Sequence, residues 1–147
     1  MANIVYKSHW HMIYITRRER FSAAHRMFRQ DWSDEKNLEV FGKCSNPNWH
    51  GHNYVLWVTV KGEQSENQGF IMNINILKKI INEKVIEKLD HRNINLDVSF
   101  MKGKISSTEN LAVTIWNELK PEIEKNGALL HCIKIEETEN NFIEYYG

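Results

Sequence analysis

Stretches rich in β-branched and aromatic residues alternate with stretches of helical spacing along the 147-residue chain. Met12-Ile13-Tyr14-Ile15-Thr16 opens a strand over residues 12–24. Asn53-Tyr54-Val55-Leu56-Trp57-Val58-Thr59-Val60-Lys61 marks a second strand over 52–62. After an Asn67-Gln68-Gly69 turn, Asn73 is placed to cap a helix whose apolar positions Leu77, Ile80, Ile81, Val85 and Leu89 share one face. That helix ends around Lys88-Leu89-Asp90-His91. Ser106-Ser107-Thr108-Glu109 carries the capping-box spacing of a second helix, with Leu111, Ile115 and Leu119 on its buried face and Pro121 near its end. Residues 129–137 and 141–146 read as two further strands around an Asn140-Asn141 turn. Residues 26–49 and 92–105 read as irregular connections. A connection as long as 26–49 inside a small domain points to function. The charged cluster Arg17, Arg18, Glu19, Arg20 reads as a solvated strand end. The order is β-β-α-α-β-β: an α+β arrangement with two helices on one face of a four-stranded antiparallel sheet.

This length suits one domain, assigned to residues 12–147, with residues 1–11 as a peripheral extension. His9 and His11 in that extension are discounted as ligands because chain ends are poorly ordered. Nineteen basic and nineteen acidic residues leave no net charge, so nothing here makes a nucleic-acid-binding field. No apolar run is long enough for a membrane span. Two cysteines, Cys44 and Cys132, and no leader pattern lead to the expectation of a reducing, cytoplasmic setting.

Chemistry concentrates at His50-Gly51-His52. On a strand, imidazoles at i and i+2 lie on one face, about 6–7 Å apart. His25, at the end of the first strand, is the best third ligand if the two strands pair. Three protein ligands with one open position is the pattern of a catalytic zinc site. Cys44 lies in a polar loop beside Lys43, a setting that favours a reactive thiolate. Cys132 lies in a strand-like run and reads as core. Asp90-His91 at a helix end is either a dipole-favoured terminus or a proton relay. Glu136-Glu137-Thr138-Glu139 is an acidic turn unless one carboxylate faces inward, where it accepts two N–H groups from a guanine-like ring edge. Glu109 has helix capping as its minimum role.

Phe21-Ser22-Ala23-Ala24-His25-Arg26, Glu39 through Asn48, His50-Gly51-His52-Asn53-Tyr54, Leu89-Asp90-His91-Arg92-Asn93, Ser107-Thr108-Glu109-Asn110 and Glu137-Thr138-Glu139-Asn140-Asn141 occur in order between Met12 and Gly147. Together they resemble the 6-pyruvoyl-tetrahydropterin synthase family. The resemblance implies the tunnelling (T-) fold, with subunits pairing their sheets into a trimeric barrel and two trimers stacking as a hexamer whose active sites lie between subunits. It implies one zinc per subunit on His25, His50 and His52. Cys44 would be the proton acceptor with Asp90 and His91 as its relay, and Glu137 would anchor the pterin ring, helped by Thr108 and Glu109. The implied substrate is 7,8-dihydroneopterin triphosphate, converted to 6-pyruvoyl-tetrahydropterin with elimination of triphosphate.

A sister branch, 6-carboxy-tetrahydropterin synthase, uses the same substrate on the way to queuosine, and typically places its cysteine three residues before His-Gly-His. Here five residues intervene, and the spacing resembles the pyruvoyl branch; the carboxy product stays as the alternative. A non-catalytic pterin-binding oligomer would need neither Cys44 nor the metal. A structural zinc module would need Cys44 as a fourth ligand. Trp49 departs from the family pattern, which usually has glycine just before His-Gly-His; an indole there narrows the pocket or packs against a neighbouring subunit.

Overall fold

β1 (Ile13–His25) and β2 (His50–Gly62) pair antiparallel from end to end, Ile13 opposite Gly62 and His25 opposite His50, in a computed structural model that describes residues 11–147. Residues 1–10 of the expected extension, His9 included, lie outside the described residues. β2 pairs antiparallel with β4 (Leu129–Thr138), and β4 with β5 (Asn141–Tyr145). With the short strand β3 (Arg92–Asn93) at one edge, the strand order is β3-β1-β2-β4-β5.

The sheet corrects the expected architecture. It is not a four-stranded antiparallel ββααββ sheet closing into an oligomeric barrel, but a five-stranded, mixed and open one. The additional strand is β3 (Arg92–Asn93), which runs parallel to β1 at Ala23 and Ala24. Two residues are too short to show a period in sequence. What creates the strand is a reversal at His91, whose φ is +58°. The Asp90 carboxylate accepts from the Ser22 N–H at 2.8 Å, and the His91 N–H donates to the Ser22 carbonyl at 2.6 Å.

A helix also lies within the connection read as irregular. α1 (Asp34–Phe41) is followed by a 3-10 turn (Gly42–Ser45) that carries Cys44. α1 lacks an apolar stripe and is made by its N-terminal chemistry. Ser33 accepts from the Lys36 N–H, and Asp34 and Glu35 occupy the first turn. Asn37, buried beneath it, accepts from the Arg29 N–H and donates to the Arg29, Trp32 and Ser33 carbonyls.

α2 (Ile74–Ile81) is capped by Asn73 and runs through a π-turn (Asn82–Ile86) into α3 (Glu87–Leu89). α4 (Thr108–Lys125) contains Pro121 within its last turns, near the end as expected. Its N-cap is Ser107, which accepts from the Asn110 N–H, one residue later than the capping box placed it. The Ser106 hydroxyl instead donates to the Arg26 carbonyl. Among the described residues, three helical rods therefore accompany the sheet. Leu77, Ile81, Val85, Leu89, Leu111, Ile115, Leu119 and Ile123 join Phe21, Tyr54, Leu56, Val58, Ile133 and Ile135 in one buried core.

The charged residues 17–20 lie within β1 rather than at its end. Arg17 and Glu19 form an ion pair, while Arg18 lies over the Trp57 ring on the neighbouring strand. Lys134 covers Trp57 as well and also contacts Phe142, so a cation–aromatic ladder crosses the sheet. Among the described residues no helix is long and apolar enough to cross a membrane.

Candidate metal centre

The β1–β2 register assembles the three histidines. His25 lies directly opposite His50, and His52 lies opposite Ala23, one pleat repeat further along the same face. Their ring centroids are 4.5, 5.2 and 5.0 Å apart, and one nitrogen from each falls within 4.8 Å of the others. His25 is fully buried; its Nδ1 lies 2.8 Å from the Ser106 carbonyl oxygen. A carbonyl only accepts, so Nδ1 carries the proton and Nε2 presents a lone pair to the cluster.

The nitrogens around this point lack other partners. His25 Nε2, both His50 ring nitrogens and His52 Nε2 are buried without a hydrogen bond. Leaving such atoms unpaired costs about 1–3 kcal/mol each. A borderline-soft metal ion would take one nitrogen from each of the three rings, and the His25–Ser106 bond is the kind of outer-sphere contact that orients a ligating imidazole. The residues fit a metal with three protein ligands.

Burial, before any other influence, lowers the His25 pKa, with the Ser106 bond opposing. The His50 pKa is lowered by burial and then by His52. Both imidazoles are therefore held neutral, below the ordinary value of 6.5, in the state that binds metal. The unfolded chain takes up protons as pH falls below that value, while the folded chain resists. Stability from these residues is thus present above pH 6.5 and is lost as pH falls through their folded pKa values. Metal-free protein is expected to melt at lower temperature at pH 5 than at pH 7.5, and loaded protein dialysed at pH 5 to release its ion. A melting temperature independent of pH over that interval contradicts the assignment.

Glu137 on β4 reaches the same point. Its Oε1 is 3.6 Å from His25 Nε2 and 3.8 Å from His52 Nε2, and accepts a 2.9 Å bond from the Thr108 hydroxyl at the start of α4. Glu137, Thr108 and Glu109 line one cavity of about 340 Å³, together with Met27, Asn141 and Phe142. A carboxylate steadied by a hydroxyl on the wall of such a cavity suits a planar ligand edge bearing N–H donors. Glu109 is exposed and points to the cavity rather than forming the expected cap.

Tyr54 adjoins the histidine cluster and was given no site role in sequence. Its ring lies 5.6 Å from that of His52 and is fully buried. Its phenol is held far above the ordinary tyrosine range, by burial first and then by the neighbouring acidic groups Glu137 and Cys44. The signal was the alternation itself: His50, His52 and Tyr54 occupy i, i+2 and i+4 of one strand face.

Cys44 is half-buried on its 3-10 turn, whose carbonyl accepts from the Met27 N–H at 2.9 Å. Its sulfur is not one of the three clustered ligand atoms. Asp90 and His91 do bond to each other, Oδ2 to Nδ1 at 2.9 Å, at the β3 edge. The Asp90 pKa is lowered chiefly by its bond from the Ser22 N–H. The His91 side chain is 83% exposed, and among the described residues no hydrogen bond joins this pair to Cys44. Within one chain, then, the fold gathers the histidines, Tyr54, Glu137 and Thr108, but not the two halves of the expected relay. Cys132 is buried in β4, and burial raises its pKa, consistent with a core residue.

Trp49, immediately before His50, has φ of +66°. For a bulky L-residue this left-handed conformation costs about 1–2 kcal/mol. Glycine adopts this conformation without that cost.

A protein-family model described as 6-pyruvoyl tetrahydropterin synthase matches residues 14–147. A 6-pyruvoyl tetrahydrobiopterin synthase of Dictyostelium discoideum is 47% identical over 135 residues, covering 92% of this chain and 96% of its own. The solved Caenorhabditis elegans 6-pyruvoyl tetrahydropterin synthase superposes with a TM-score of 0.87 at 38% identity, over 94% of this chain and 97% of the other. A protein of Archaeoglobus fulgidus described as a putative 6-carboxy-5,6,7,8-tetrahydropterin synthase is 32% identical over 124 residues, 84% of this chain and 87% of its own.

Proposed function

We propose that this chain, which belongs to the 6-pyruvoyl tetrahydropterin synthase family, is a zinc-dependent lyase converting 7,8-dihydroneopterin triphosphate to 6-pyruvoyl-tetrahydropterin with release of triphosphate. The observation that carries the reading is the set of buried histidine nitrogens without hydrogen-bond partners beside a hydroxyl-anchored glutamate, whose carboxylate lines a cavity.

His25, His50 and His52 hold the metal. When bound, zinc supplies Lewis acidity toward the substrate's side-chain hydroxyls, which makes the adjacent C–H hydrogens removable. Glu137 accepts the N–H groups of the ring's amino-pyrimidine edge, and Thr108 keeps its carboxylate from rotating. Met27 and Phe142 supply apolar wall to the cavity. Cys44 takes up protons from the side-chain carbons as thiolate, and Asp90–His91 receives and returns them. Side-chain oxidation balances ring reduction, so the elimination needs no external electron carrier.

Cys44 and the Asp90–His91 pair belong to one relay but are not joined within the chain. We therefore assign the working form to a homo-oligomer, for which the family resemblance implies a hexamer of two trimers, in which one subunit's thiol meets its neighbour's exposed His91. The five residues between Cys44 and His50, and the greater identity to the pyruvoyl-type relative, favour the pyruvoyl product.

The test is incubation of zinc-loaded protein with 7,8-dihydroneopterin triphosphate, with product mass and released triphosphate measured together. The expected result is a pyruvoyl-bearing tetrahydropterin and one triphosphate per turnover. A carboxy-bearing product transfers the chain to the sister branch. Tight dihydropterin binding without product or triphosphate overturns the enzyme reading.

A further inference from the structure

The left-handed backbone at Trp49 lies between the two chemical parts of the site, and its surroundings show what it does there. The Trp49 N–H donates to the Asn46 carbonyl at 3.0 Å, and the Asn48 N–H to the Asn46 side chain at 2.9 Å, closing a tight turn after the Cys44 segment. The indole meets Phe28 edge to face, with centroids 6.3 Å apart and planes at 87°. Phe28 carries the Arg26 guanidinium 4.3 Å from its ring centre. Arg26 Nε donates to the Ser45 carbonyl at 2.7 Å, and the Met27 N–H donates to the Cys44 carbonyl at 2.9 Å.

The three residues that follow the ligand His25 thus grip the thiol loop at Cys44, at Ser45 and, through Phe28, at the residue that precedes the ligand His50. A small residue at position 49 would leave the last of these grips empty.

We propose that Trp49 is a positioning residue for Cys44: its indole, braced by Phe28 and Arg26, sets where the thiol lies relative to the three-histidine cluster. The inference rests on Cys44 being the proton acceptor of the proposed reaction, but thiol placement is measurable without turnover.

The experiment compares Trp49→Gly, Trp49→Asn and Trp49→Phe in zinc-loaded protein. Gly and Asn accept the left-handed backbone without the aromatic contact; Phe keeps an aromatic ring there. Alkylation of Cys44 by iodoacetamide is followed by site-resolved mass spectrometry, which separates it from Cys132, alongside kcat, KM, zinc content and melting temperature. For Gly and Asn the expected result is a change of about threefold or more in alkylation rate. Their kcat falls about tenfold, as for a displaced catalytic group. KM and zinc content stay as in the parent, melting temperature is not lowered, and Phe restores alkylation rate and kcat. Parent-like alkylation in both folded Gly and Asn variants overturns the proposal, as does failure of Phe to restore it. If no variant and no parent turns substrate over, the reaction assignment fails while the alkylation rates still decide the role of Trp49.

Discussion

Cys44→Ala is expected to keep one zinc per subunit while losing about 10²–10⁴-fold in kcat, the usual contribution of a positioned acid–base group. At 1.36 kcal/mol per factor of ten, that is about 3–5 kcal/mol of transition-state stabilisation. KM should change little, because an interaction made only while a proton moves lowers kcat and kcat/KM together. The metal expectation follows from geometry: the cluster consists of one nitrogen from each of three histidines, and the sulfur is outside it. The fold should also survive, since the contact that fixes the loop uses the Cys44 carbonyl, which alanine retains. Measured zinc content separates the alternatives cleanly. Loss of the ion from Cys44→Ala would make the thiol a fourth ligand and the site a closed, structural one. Full activity in the variant would remove the thiol from the chemistry.

His50→Ala should produce the opposite pattern, with metal content near zero and turnover undetectable. Even outer-sphere partners are worth 10–100-fold in metal affinity, so loss of a direct ligand is expected to exceed about 100-fold. Yet the metal-free variant should be no less stable than the metal-free parent. Both His50 ring nitrogens are buried without partners, and alanine removes that penalty. The parent's melting temperature should climb with added zinc, by about 2.7 kcal/mol of stabilisation at a free concentration a hundred times the dissociation constant. The variant's should not. Zinc-dependent stabilisation of His50→Ala equal to that of the parent would place the ion elsewhere.

The histidine cluster was readable because it depends on two strong regularities, the alternating faces of a strand and the antiparallel pairing of consecutive strands. Tyr54 follows from the same alternation, but Glu137 comes from a distant segment, and nothing local marks a tyrosine in an apolar run as a neighbour of a histidine cluster. α1 escaped because a helix made by Ser33, its acidic first turn and the buried Asn37 has no hydrophobic period to detect. The capping box slipped by one residue because Ser106 and Ser107 are equivalent in sequence; only tertiary structure supplies the Arg26 carbonyl that claims the Ser106 hydroxyl. β3 was invisible for a different reason. It is two residues long, and it exists because Asp90 and His91 bond to the backbone of Ser22, a contact spanning 68 positions. Resemblance to a family located Asp90 and His91 as a pair, but their separation from Cys44 is a property of three-dimensional placement.

The end-to-end register of β1 and β2 has a consequence for how the protein is made. Side chains on a strand change face with every residue, so a pairing one position out of step would turn His50 and His52 away from His25. Such a chain would also turn Tyr54, Leu56, Val58 and Val60 out of the core, and it would offer a metal ion no three-nitrogen seat. Under the proposed zinc assignment, metal binding would therefore stabilise only the alignment in which His25 faces His50, coupling ion affinity to correct sheet pairing.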